Sequence, residues 1–159
     1  MKTAALFAAA TELGALLNGA APEVIGALKI FGLRLGTAYQ IYDDCLDLTG
    51  NETKAGKTLG SDLRKGKLTL PVLHLLQISD TAERHRLSEI ILSGTESDIR
   101  ILVEHALASG AVKSAVITGR KLLREARAAL DLVAPNKYRE ALTNLVGNVD
   151  TMIAQFAED

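Results

Sequence analysis

From Pro22 to about Leu48 the chain is dominated by apolar and small residues, with only a few charges among them, and it closes on the aspartates Asp43, Asp44 and Asp47. A stretch this long, apolar on most of its circumference, predicts a helix buried at the centre of a bundle. Gly26, Gly32 and Gly36 interrupt it, and a glycine inside a helix costs roughly 1 kcal/mol relative to alanine. Small residues at that spacing are explained by the close approach of another helix or of a ligand. Pro22 occupies a first helical position, where its missing N–H is no loss, and Gly50 closes the run.

Similar punctuation divides the rest of the chain. An Ala-rich apolar segment from Thr3 to Leu17 stops at Asn18-Gly19 and is expected to be a buried helix. Asn51 to Gly66 is rich in glycine and lysine and predicts a loop with at most a short helical turn. Thr69-Leu70-Pro71 opens an apolar helix to about Ile78. Amphipathic segments follow near Ala82–Ser93, Glu96–Ser109, Val112–Val133 and Lys137–Ala157, separated by Gly94, Gly110 and Pro135. Aromatic residues make up only 4% of the chain and tryptophan is absent, which favours helices over strands. No repeat or linker divides the sequence, so residues 1–159 are expected to form a single all-α domain.

Bulk properties exclude several classes. A net charge of −1 provides no global field for nucleic acid or an anionic membrane surface. The one cysteine, Cys45, cannot support an internal disulfide framework and is compatible with a reducing, cytoplasmic setting. Every apolar stretch meets a charge before it could span a bilayer, so no membrane span is expected. Glu12 interrupts the N-terminal apolar stretch and no basic cluster precedes it, unlike a signal peptide.

The chemistry concentrates between Tyr39 and Pro71. On a helix Asp43 and Asp47 stand one turn apart on one face, with Asp44 a step around it and Gln40 one turn earlier. Acids in the last turns of a helix face the negative end of its dipole, at about 0.3–1 kcal/mol each. Like charges at i, i+4 add roughly 0.2–0.5 kcal/mol. A bound cation removes both terms, and carboxylate oxygens suit Mg²⁺, which takes one or two of them and completes its shell with water and phosphate. An isolated acidic patch would as readily be a solvated helix end. Lys57 and Lys67 shift that balance, because they follow in a glycine-rich loop that can fold back over the aspartates. Diphosphate needs metal on one side and ammonium donors on the other.

DDCLD followed by GKTLGSDLRKGKLTLP resembles the second aspartate-rich motif and following loop of the trans-isoprenyl (polyprenyl) diphosphate synthases. Lys2-Thr3-Ala4 resembles the lysine-threonine motif that begins a helix in that family, and Gly32 to Tyr42 resembles its helix leading into the aspartates. The resemblance implies an all-α, isoprenoid synthase-type bundle, here its C-terminal part only. It also implies Mg²⁺-dependent, head-to-tail condensation of an allylic prenyl diphosphate with isopentenyl diphosphate. Asp43, Asp44 and Asp47 would then be the metal residues, and Lys2, Lys57 and Lys67 the diphosphate contacts. Thr3 and Gln40, with Lys57, would lie at the reacting centre.

The family's first aspartate motif and the arginine-rich motif after it have no counterpart here, so the chain alone is expected to be inactive. A homodimer, or pairing with a missing N-terminal half, is expected from the apolar faces such a piece would leave uncovered. A non-catalytic subunit that pairs with a full-length synthase is the alternative. A terpene cyclase is a weaker one, since its second metal motif mixes Asn, Ser or Thr with acids. Cys45 is expected to be a packing residue, His74, His85 and His105 have no ligand spacing, and Arg120–Arg127 reads as a solvated face.

Overall fold

The computed structural model describes residues 2–49 and 60–157. Among them all regular structure is helical: α1 (Lys2–Leu17), α2 (Pro22–Thr49), the single turn α3 (Ser61–Arg64), α4 (Leu70–Ile78), α5 (Thr81–Ser93), α6 (Glu96–Ala108), α7 (Ala111–Ala129) and α8 (Lys137–Ala154). A 3₁₀ turn, Leu130–Leu132, extends α7. The all-α expectation holds, and the element ends fall close to the glycines and prolines that predicted them.

The caps show why. Gly19 adopts a positive φ of 67° at the end of α1, and the Ala20 and Gly19 amides fold back onto the Ala15 and Leu16 carbonyls. Asp80, Thr95 and Asn136 begin α5, α6 and α8, each accepting amide hydrogens from the first turn. Gly94 closes α5 in the left-handed conformation.

The helices form two compact units: Met1–Tyr42 with Ile117–Gln155, and Asp43–Val116 with Phe156–Asp159. In the first, α1 lies directly against α2. A methyl group on Gly32 would collide with the Phe7 carbonyl and the Thr11 hydroxyl, and one on Gly36 would stand 2.9 Å from Ala4 Cα. The Thr11 hydroxyl donates across the pair to the Leu28 carbonyl at 2.6 Å. Two of the three glycines in α2 therefore answer to a neighbouring helix, whereas nothing lies within 4 Å of a Cβ on Gly26. Farther along, α2, α7 and α8 meet at Gly119, where a Cβ would come 2.9 Å from Ile153 and 3.5 Å from Ile41. Arg34–Glu125 and Arg120–Asp150 ion pairs, each 2.9 Å at the shortest, lie on the outside of this unit.

Two expectations for the first helices need correction. α1 is not buried overall: it buries Ala4, Ala8 and Ala15 but exposes Leu6, Leu13, Leu16 and Leu17. At 100° per residue, Leu6, Leu13 and Leu17 share the side opposite those alanines. α2 buries a stripe through Ala27, Phe31, Leu35, Ala38, Ile41, Cys45 and Leu48, while Ile30 and Leu33 are exposed. Close contact between the helices needs small residues, so the alanine face goes inward and the leucine face is left outside. Among the described residues no single helix is long and apolar enough to cross a membrane.

In the second unit α4, α5 and α6 pack on one another. Val72, Leu75, Leu87, Ile99, Leu102 and Ala106 are all nearly inaccessible and form its core. His105 and Glu83 join α6 to α5 at 3.2 Å. This frame supports α3 and the start of α4 beside the C-terminal turns of α2.

Candidate functional site

The aspartates occupy the end of α2, as their spacing requires, but they are not equivalent. Asp44 points inward and is 6% exposed, whereas Asp43 and Asp47 are half-buried. Adjacent helical positions differ by 100°, so a helix edge facing a core hides one aspartate of a pair and leaves the other near water. A buried carboxylate needs compensation. Lys67 supplies it, with its Nζ 3.2 Å from Asp44 Oδ1, and the Leu70 amide at the start of α4 stands 3.5 Å from Oδ2.

Asp47 holds the chain at Gly60 and Asp62. Its carbonyl accepts the Gly60 amide at 2.8 Å, and its Oδ2 accepts the Asp62 amide at 3.0 Å. Gly60 makes this return possible: its φ is +69°, and a Cβ there would meet Ile99 at 2.5 Å. From the turn α3, Asp62 then reaches Lys67, with Oδ2 only 2.5 Å from Nζ. The Lys67 amide also donates to the Asp62 carbonyl at 2.9 Å, across Gly66 at φ +71°.

Lys67 is thus a cation held by two acids, Asp44 and Asp62. Partial burial pulls its pKa down, but the hydrogen bonds and charges of Asp62 and Asp44 outweigh that, and the net shift is upward. Behind the aspartates, burial first and the Asp44 charge second push the Cys45 thiol up from 9.0 to about 12. Cys45 is fully buried, consistent with a packing role. Thr69, at the N-cap of α4, is 2% exposed, and its hydroxyl has no partner. That orphaned polar atom lies one residue from the amide that Asp44 faces.

Three other expected site residues belong to the other unit. Thr3 Oγ1 donates to Gln40 Oε1 at 3.0 Å, joining the first turn of α1 to α2. The Phe7 and Tyr39 rings stack 6.1 Å apart beside this pair, so Tyr39 serves helix packing. Lys2 is exposed at the start of α1. Lys57 lies outside the described residues.

Asp62 escaped the reading of the sequence, which weighed the lysines of the GSDLRKGK stretch and passed over its acid. The available signal was an aspartate five residues before a lysine with a glycine between them, a spacing that a left-handed turn can close.

Asp43 and Asp47, one turn apart and half-open, could share a divalent ion. Among the described residues no three His, Cys, Asp or Glu side chains converge as a protein cage. The orphaned Thr69 hydroxyl also leaves one buried donor for a ligand oxygen or water.

Known proteins bear on this arrangement. A short chain isoprenyl diphosphate synthase of Methanothermobacter thermautotrophicus is 39% identical over 141 residues, covering 89% of this chain and 43% of that protein. Component 2 of the heptaprenyl diphosphate synthase of Bacillus subtilis is 33% identical, over 89% of this chain and 40% of its own length. The crystal structure of a decaprenyl diphosphate synthase from Rhodobacter capsulatus superposes with a TM-score of 0.85 at 34% identity, over 96% of this chain and 47% of that one. A polyprenyl synthase from Caulobacter crescentus, complexed with calcium and isoprenyl diphosphate, superposes at 0.83 with 37% identity over 96% and 46%. The chain therefore spans less than half the length of these relatives. The sequence pattern of the polyprenyl synthetase family matches residues 1–107, and with these relatives it shows that the chain belongs to that family.

Proposed function

We propose that this chain is the C-terminal half of a prenyltransferase that condenses an allylic diphosphate with isopentenyl diphosphate, head to tail and with Mg²⁺. Residues 1–159 would form a portion of one polyprenyl synthetase domain, working in the cytoplasm. The observation that carries this reading is the acid–lysine face at the end of α2. Asp43 and Asp47 are half-open, and Lys67 is held beside buried Asp44. The family's prenyl diphosphate synthases, and the calcium and isoprenyl diphosphate named for the Caulobacter protein, support it.

In this reading Asp43, Asp44 and Asp47 anchor the metal and its waters. Lys2, Lys57 and Lys67 hold the allylic diphosphate. A metal held by these aspartates would supply positive charge to the departing pyrophosphate, which would make ionisation of the allylic carbon accessible. The Thr3 hydroxyl, fixed by its hydrogen bond to Gln40, and the Gln40 amide oxygen offer negative partial charge to the allylic cation. Fixing them beforehand avoids reorganisation during the reaction.

The isolated chain is proposed to be inactive, because nothing in its sequence supplies the family's first aspartate motif. Each missing electrostatic partner costs on the order of a hundredfold in rate. Incorporation of labelled isopentenyl diphosphate tests this. No elongation is expected from the chain alone, with some product when it is co-expressed with the N-terminal half of a related synthase. Robust turnover by the chain alone would overturn the inactive-half reading. Pyrophosphate with Mg²⁺ should also raise the melting temperature, a response that Asp43→Ala should abolish. A response unchanged in that variant counts against the metal assignment.

A second reading is a non-catalytic subunit that pairs with a full-length synthase. The exposed leucines of α1 favour a partner of some kind, and the Bacillus subtilis relative is by its name one component of an enzyme. A homodimer would cover the same residues.

A further inference from the structure

Lys67 is assigned above to the diphosphate, yet its ammonium lies between two carboxylates, 2.5 Å from Asp62 and 3.2 Å from Asp44. Its main chain is fixed: the amide is bonded to the Asp62 carbonyl, and Asp62 is itself held by Asp47. Its side chain is not enclosed, with 46% of it exposed. A flexible four-carbon stem on a fixed backbone lets the charge move several ångströms without the loop moving.

We propose that Lys67 is a two-position cation: it occupies the Asp44–Asp62 pair in the ligand-free chain and swings to the diphosphate when metal and diphosphate arrive together. The proposal rests on the reading that the α2 aspartates take a metal diphosphate, and it adds an order of binding to that site.

The charges explain the order. A divalent ion arriving alone meets aspartates already balanced by an ammonium, and the ammonium repels it. Pyrophosphate arriving alone meets a lysine already paired with acids and a cluster of carboxylates that repels it. When the two arrive together, the metal takes over neutralisation of the aspartates and the lysine charge is transferred to the anion. Neither ligand then faces an uncompensated group, so each strengthens the binding of the other.

Calorimetric titration of the chain with MgCl₂ alone, with pyrophosphate alone and with MgCl₂ in saturating pyrophosphate tests this. The wild type should bind Mg²⁺ weakly alone and much more tightly with pyrophosphate. Lys67→Gln should bind Mg²⁺ alone about tenfold tighter, the scale of removing one nearby unit charge under surface screening. It should also lose most of the gain that pyrophosphate confers. Should Lys67→Gln fail to fold, Asp62→Asn/Lys67→Gln keeps the charge balance, and it should exceed Asp62→Asn in affinity for Mg²⁺ alone. If the wild type shows the joint response but removal of Lys67 leaves its affinity for Mg²⁺ alone unchanged, the two-position role is wrong and the metal-diphosphate reading stands. If the wild type shows no joint response, both fall.

Discussion

The carboxylate of Asp47 accepts the backbone amide of Asp62 at 3.0 Å, tying the end of α2 to the turn that carries the second acid around Lys67. This is a side chain satisfying an orphan amide at a helix start, a contact worth about 1 kcal/mol. Asp47→Ala should therefore reduce stability by about 1 kcal/mol. It should also speed hydrogen exchange at the Asp62 amide, whereas Asp43→Ala should not. Equal exchange rates in the two variants would show that the contact does not hold the loop.

The glycines of α2 should respond in opposite directions. At Gly36 an added methyl meets the α1 backbone at 2.9 Å, so Gly36→Ala should destabilise by about 1–3 kcal/mol. Gly26 has open space, so Gly26→Ala should stabilise by about 0.5–1 kcal/mol through helix propensity alone. Urea unfolding of both variants measures this, and two changes of the same sign would contradict the helix contact.

Cys45 sets a pH dependence. Burial, and secondarily the Asp44 charge, push its thiol up from the ordinary 9.0 to about 12 in the folded chain. A raised pKa means the native state holds its proton longer, so this contribution is complete below 9.0 and is lost as pH rises towards about 12. Within that interval the loss approaches roughly 1.4 kcal/mol per pH unit. Cys45→Ala should lose stability less steeply with alkaline pH than the wild type, and parallel curves would refute the assignment.

The leucines of α1 should drive association. Leu6 is 69% and Leu17 83% exposed, and Leu13 lies between them on the same side of the helix. Light scattering at micromolar concentration should report dimers or larger species. Leu13→Glu with Leu17→Glu should shift them towards monomer without loss of helical circular dichroism. A wild type that is already monomeric would remove the argument for a partner on this face.

The boundaries of these elements were legible because they are decided locally. Pro22, Asn18-Gly19, Gly94 and Pro135 act through their own backbone preferences, whatever the rest of the chain does. The direction in which α1 faces was not legible, because alanine and leucine both read as apolar. What decides it is the contact with α2, where Gly32 and Gly36 lie against the α1 backbone at Ala4 and Phe7. The aspartates show the same division. Their place on one helix end follows from spacing, but the contrast between hidden Asp44 and half-open Asp43 depends on what packs beside them. Asp62 was missed for a related reason: its pairing with Lys67 is created by the turn through Gly66.

The contact of α1 with α2 near Gly36 has a consequence for how this protein can change. Thr3 and Gln40 are brought together where one main chain rests almost directly on another, with little side-chain volume between them. Residues on the outward side of α1 can therefore be exchanged, to suit one partner or another, without shifting the hydroxyl–amide pair. The helix thus has an inner edge fixed by this contact and an outer edge, carrying the exposed leucines, that the contact leaves unconstrained.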